Sequence, residues 1–155
     1  MIVDERVRDY IHSLEPGQGS LCDGIAREAE AGNIPIIKKE TAALLKTLIT
    51  AKRPGAILEV GTAVGYSALL MAGVMPDFCR ITTIEKYEPR ILAARENFRK
   101  AGVGDKVTLL EGDAGEILQS LSGPFDFIFM DAAKGQYLHW LPNILRLMEP
   151  GAMLL

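Results

Sequence analysis

The chain has 155 residues, 48% of them hydrophobic and 24% charged, which suits one soluble globular domain with a real core. Its formal charge of −3, from 17 basic and 20 acidic residues, excludes a general attraction to nucleic acid, though not a local basic patch. No run of about 18 apolar residues predicts a membrane span. The charged start from Met1 to Tyr10 lacks a signal-peptide core, so a cytoplasmic location is expected. Cys22 and Cys79 match no metal or redox spacing and are expected to be reduced thiols.

The first third reads as helical. Val3, Val7, Ile11 and Leu14 recur at helical spacing until Glu15-Pro16-Gly17 ends the pattern. A second helix is expected over Leu21 to Gly32. Ile34-Pro35-Ile36-Ile37 is an apolar link whose proline does not suit a helix interior. Thr41 to Ala51 predicts a third helix, with Leu44, Leu45, Leu48 and Ile49 on one face. From Pro54 short apolar runs alternate with helical patterns. Strands are expected at Ala56 to Val60, Arg80 to Glu85, Lys106 to Glu111, Phe125 to Met130 and from Gly151. Helices are expected from Tyr66 to about Val74, Pro89 to Ala101 and Ala114 to Leu121. A last helix carries Tyr137, Trp140, Leu141, Ile144, Leu145 and Met148 on one stripe. Such alternation predicts an α/β fold: a parallel sheet with helices on both faces, preceded by N-terminal helices. The chain reads as a single domain over 1–155, with a helical segment over 1–53 and an α/β core over 54–155. Sheets of this kind bind ligands beyond the C-terminal ends of their strands, so the residues just after each strand are the candidates.

After the first strand comes Glu59-Val60-Gly61-Thr62-Ala63-Val64-Gly65-Tyr66-Ser67. Gly61 and Gly65 permit a tight turn and a close approach to a ligand, and the following helix offers free N–H groups. The spacing differs from the Gly-x-Gly-x-x-Gly of dinucleotide binders. Glu59 would repel a pyrophosphate and suit a ligand carrying positive charge. The plain alternative is a tight turn with no ligand. Glu85 lies 24 residues beyond Gly61, near the distance of roughly 20 at which an acidic residue accepts hydrogen bonds from ribose hydroxyls. A surface carboxylate favouring the helix dipole is the alternative there. Asp113, before Ala114, is expected to cap a helix and to sit at the rim of the same cleft. Asp131 ends an apolar strand and can serve a hard divalent cation. Lys134, three residues on, can act as a base where nearby positive charge lowers its proton affinity; a cap and a solvated lysine are the alternative. His12 and His139 have no zinc-site spacing. Trp140 reads as core packing, and Arg95, Arg99 and Lys100 as a solvated helix face.

Glu59-Val-Gly-Thr-Ala-Val-Gly-Tyr-Ser67, Thr83-Ile-Glu85, Gly112-Asp-Ala114 and Met130-Asp-Ala-Ala-Lys134 together resemble the cation-dependent O-methyltransferases of the catechol and caffeoyl-coenzyme A type. The resemblance covers nearly the whole chain. It implies a Rossmann-like methyltransferase fold that binds S-adenosylmethionine. Gly61, Gly65 and Ser67 would hold the methionine part above Glu59, and Ile36 or Ile37 would line the pocket. Glu85 would hold the ribose, Asp113 and Ala114 would flank the adenine, Asp131 would bind Mg²⁺, and Lys134 would be the general base. The heptapeptide Asp131-Ala-Ala-Lys-Gly-Gln-Tyr137 is most similar to a bacterial branch acting on 5-hydroxyuridine at the tRNA wobble position. A small catechol-like phenol is the alternative substrate.

The family's sheet has seven strands, and an Asp-Asn pair after the fifth completes its metal site. This chain reaches Leu155 within the fifth strand. The last strands of the family fold are therefore expected to be absent, and the chain to have little Mg²⁺ affinity or activity. A tRNA substrate would need a basic surface beside the cleft, for which Lys38, Lys39, Lys52 and Arg53 are candidates. A binding module without chemistry and an NAD-dependent dehydrogenase are the readings from other classes; the glycine spacing and Glu59 disfavour the second. The resemblance also implies a homodimer.

Overall fold

A computed structural model of the chain describes residues 4–14 and 16–155. Val3 and Glu15, expected at the two ends of the first helical pattern, lie outside the described residues. Three helices come first: α1 (Glu5–Leu14), α2 (Ser20–Ala31) and α3 (Lys39–Lys52). The alternating part then runs β1 (Ala56–Val60), α4 (Tyr66–Ala72), β2 (Arg80–Glu85), α5 (Glu88–Ala101), β3 (Val107–Glu111), α6 (Ala114–Ser120), β4 (Phe125–Met130), α7 (Tyr137–Leu147) and β5 (Met148–Leu154). A single 3-10 turn, Lys134–Gln136, precedes α7.

The strands form one parallel sheet in the order β3-β2-β1-β4-β5. The order reverses between β1 and β4, which is where an open α/β sheet leaves its ligand crevice. Apolar residues alternate between the two faces because successive side chains of a strand point oppositely. Ile57, Ile81, Phe127 and Phe129 pack under the α2–α5 side. Leu58, Val60, Ile84 and Ile128 pack under α6 and α7. Truncating Phe127 to Ala in this fully buried layer costs about 3–5 kcal/mol.

Two expectations are corrected. The stripe of α7 buries Trp140, Ile144 and Leu147, while Leu145 is exposed. The fifth strand begins at Met148, where Phe125 pairs with it, rather than at Gly151. Glu149 and Pro150 hide that start in the sequence, since neither belongs to an apolar run.

Candidate active site

The C-terminal ends of the strands surround a cleft of 930 Å³. From β1 come Gly61 and Ala63, from β2 Glu85 and Lys86, from β3 Gly112 to Glu116, and from the loop after β4 Asp131 to Lys134. The cleft therefore collects Gly61, Glu85, Asp113, Ala114, Asp131 and Lys134, as expected from the strand ends.

Gly61 is where the floor is tightest. Its φ is 102°, and a Cβ there would meet the backbone oxygen of Asp131 at 2.5 Å. Only glycine lets the β1 and β4 ends approach so closely. The N–H groups of Gly61 and Thr62 both donate to the Ile84 carbonyl at 3.1 Å, tying the turn to β2. Gly65 has φ 84°, and a Cβ would lie 2.7 Å from the Phe98 ring of α5. Gly65 thus sits in the core behind the turn rather than on the cleft wall.

Glu85 accepts three backbone N–H bonds: Ala63 at 2.9 Å on one oxygen, Lys86 at 2.9 Å and Tyr87 at 3.0 Å on the other. A carboxylate has about four acceptor sites, so the three bonds hold it still and leave capacity for a ligand hydroxyl. Asp113 caps α6 through the Gly115 N–H at 2.8 Å and pairs with Lys86 at 3.3 Å. The backbone bond, and then the lysine, hold its carboxyl below the usual range.

Glu59 lies beneath the turn and not on the cleft wall. It shares the face of Ile57, under α4, and is wholly buried. Ser67 donates to one of its oxygens at 2.5 Å and Thr83 to the other at 2.5 Å. Thr62 and Thr83 share a further hydroxyl bond of 2.6 Å. Burial pushes the Glu59 carboxyl up to about 7, against the pull of these hydroxyls. Ser67 is likewise buried behind the turn. Ile37 packs against the core, and it is Pro35 and Ile36 that line the cleft.

Asp131 and Lys134 form an ion pair of 3.5 Å on an exposed loop. Tyr137 anchors the loop's far end by donating to the Met130 carbonyl at 2.6 Å. Among the described residues no group of three His, Cys, Asp or Glu side chains is gathered to hold a metal ion. A resident Mg²⁺ demands near-octahedral oxygen coordination, which one carboxylate beside a lysine does not supply. These residues alone do not fit a metal centre.

Several wall residues were not expected: Arg90, Gln119, Gln136, His139 and Trp140. Trp140 is core on one side and cleft on the other; its indole nitrogen lies 3.2 Å from where a Gly115 Cβ would be. For Arg90, His139 and Trp140 the available signal was position, since the first turn of a helix that follows a strand-end loop faces the crevice. His12 bonds Glu40 at 2.8 Å, away from the cleft. Arg99 and Lys100 pair with Glu96, and Arg95 with Glu111, on a solvated face as read. Both cysteines are free thiols.

The profile of the O-methyltransferase family matches residues 24–155. The chain belongs to this family. A catechol O-methyltransferase of Niastella koreensis is 40% identical over 116 residues, 72% of this chain and 51% of that protein. A caffeoyl-CoA O-methyltransferase of Populus kitakamiensis is 32% identical over 127 residues, 79% of this chain and 53% of that protein. The chain thus spans about half the length of the curated relatives it matches. Among solved structures, the SAH-bound methyltransferase PaMTH1 of Podospora anserina superposes with a TM-score of 0.90 at 30% identity, covering 97% of this chain and 67% of that one. The five parallel strands of this chain and the helices around them therefore form an O-methyltransferase fold. Among the described residues no helix is long and apolar enough to cross a membrane.

Proposed function

We propose that the chain binds S-adenosylmethionine in the β1/β4 cleft and serves methyl transfer to the hydroxyl of a small phenol of the catechol class. The observation that carries this reading is Glu85 at the end of β2, immobilised by three N–H donors and facing the cleft beside a glycine floor. A nucleoside fits there: the carboxylate accepts from ribose hydroxyls, and Asp113, Ala114 and Trp140 bound the space for the base. When bound, S-adenosylmethionine supplies a methyl group on a sulfonium centre, open to attack by an oxygen nucleophile. Gly61 and Ala63 bring backbone close to the methionine part. Glu59, Gly65 and Ser67 support that turn from behind.

Lys134 is the group nearest Asp131 that can handle the phenol proton. Paired with the carboxylate as an ammonium it has donors only. Taking the substrate proton requires that Lys134 leave Asp131 and first release its own proton to solvent, so that a free amine faces the hydroxyl. No step is derived through a metal.

The small phenol is preferred to a tRNA uridine because the named relatives act on catechol and caffeoyl-CoA. None of Lys38, Lys39, Lys52 and Arg53 lines the cleft. The test is methyl transfer from labelled S-adenosylmethionine to catechol and, separately, to tRNA, with added Mg²⁺ and over a range of salt. Label in catechol, small in amount and insensitive to salt, is the expected result. Label in tRNA that falls steeply with salt would replace the phenol reading.

A further inference from the structure

One wall of the cleft is the short helix α6. With its cap residue it supplies Asp113, Ala114, Gly115, Glu116 and Gln119 to the lining. It has seven residues, and isolated helices shorter than about 12 residues are marginal in water. It buries a single side chain, Leu118. The shape and place of α6 therefore depend on how its two ends are held.

The first end is capped by Asp113 and touches α7. A Cβ on Gly115 would lie 3.2 Å from the indole nitrogen of Trp140, and both residues border the cleft. The last end is held by Arg146, from the last turn of α7. Its guanidinium donates to the carbonyls of Leu118 at 2.7 Å, Gln119 at 3.3 Å and Leu121 at 3.2 Å. A second nitrogen of the same group also reaches the Leu121 carbonyl at 3.2 Å. The last carbonyls of a helix have no partner within it, and a positive charge there favours the helix dipole. Because a guanidinium is a rigid planar fork, one side chain holds three carbonyls in a fixed relation.

α6 is thus pinned to α7 at both ends, beside Trp140 and at Arg146. With the outer pin removed, α6 is free to turn about the inner one and the buried Leu118. Gln119 couples the two regions, since its carbonyl is bonded to Arg146 and the residue lines the cleft. Arg146 itself does not line the cleft.

We propose that Arg146 is a positioning residue for the nucleoside: by clamping the last turn of α6 to α7 it fixes the shape of the base space that Asp113, Ala114 and Trp140 bound. The inference rests on the S-adenosylmethionine reading above. The competing reading of the same bonds is a helix cap that contributes stability alone.

Trp140 is the one tryptophan of the chain and is 6% exposed, so its emission reports on the α6–α7 junction. The test compares wild type, Arg146→Met and Arg146→Lys by that emission without ligand, and by calorimetric titration with S-adenosylhomocysteine. In Arg146→Met the emission is expected to move to longer wavelength as water reaches the indole, and the affinity to fall roughly tenfold. Arg146→Lys, a point donor that cannot span three carbonyls, is expected to fall between the two. A folded Arg146→Met with the affinity of wild type overturns the proposal and leaves a cap that serves stability alone. A loss of affinity with unmoved emission overturns it too, since the effect would not pass through the α6–α7 junction. Should Arg146→Met fail to fold, Arg146→Lys decides: emission and affinity both displaced from wild type support the clamp, and both unchanged contradict it. If the wild type binds no S-adenosylhomocysteine while the emission shifts in Arg146→Met, the cofactor reading fails and the clamp on α6 stands.

Discussion

The turn after β1 and the loop after β4 face each other across the cleft and are built in opposite ways. The turn is bonded at every level: Gly61 and Thr62 to Ile84, Ala63 to Glu85, Val64 to the Asn97 amide at 2.9 Å, and Gly65 to Thr62 at 2.8 Å. From Val64 to Ser67 it is buried. The loop is bonded to the sheet by one backbone contact, Asp131 N–H to the Val60 carbonyl at 3.1 Å, and by Tyr137 at its end. Its charged side chains are exposed, Lys134 at 80%. The turn is thus set by the same apolar layers that make the sheet. The loop presents two charged groups to solvent, where an ion pair contributes little to stability.

That contrast can be broken most directly at its glycines. Gly61→Ala combines a positive φ with a collision against backbone, and is expected to cost about 4 kcal/mol. Gly135→Ala, on the opposite loop, has ordinary φ and open space, and is expected to change stability by under about 0.5 kcal/mol. Urea midpoints measure both; equal losses would mean that the two regions are equally constrained.

Next in size is the pH dependence that the turn inherits from Glu59. Its carboxyl is raised from 4.5 to about 7 in the folded chain. The folded state therefore holds the proton more tightly, and the contribution is fully present below 4.5 and lost as pH rises through about 7. The loss is bounded at on the order of 3 kcal/mol. Stability of the wild type is expected to fall between about pH 5 and about pH 8 relative to Glu59→Gln, and parallel pH profiles for the two would contradict the assignment. The smallest effect is expected at Lys134→Ala, with unfolding free energy within about 0.5 kcal/mol of wild type. A larger loss would show that the loop is held by its ion pair after all.

How much of this could be read beforehand follows the same division. Ala56–Val60, Arg80–Glu85 and Phe125–Met130 are found at their expected bounds, because buried parallel strands are apolar runs cut off by glycine, proline and charge. The strand ends then identify Gly61, Glu85, Asp113 and Asp131. What sequence order does not reveal is which side of the sheet a strand-end residue takes. The alternation that buries Ile57 carries Glu59 under α4, behind the turn rather than on the cleft wall. The Thr62–Thr83 hydroxyl pair joins residues 21 apart and has no local signature. Ile36 rather than Ile37 reaches the cleft because the link between α2 and α3 has no regular period to say which side chain turns inward. Trp140 was assigned to the core and belongs to the core and the cleft together.

The central claim is that the strand ends hold a nucleoside cofactor through Glu85. Calorimetric titration of the chain with S-adenosylhomocysteine, wild type against Glu85→Ala, tests it most directly. One site per chain is expected, with affinity reduced at least about tenfold by Glu85→Ala, the loss of one charged hydrogen-bond partner. Binding that Glu85→Ala leaves unchanged, or no binding by a folded wild-type chain, would contradict it.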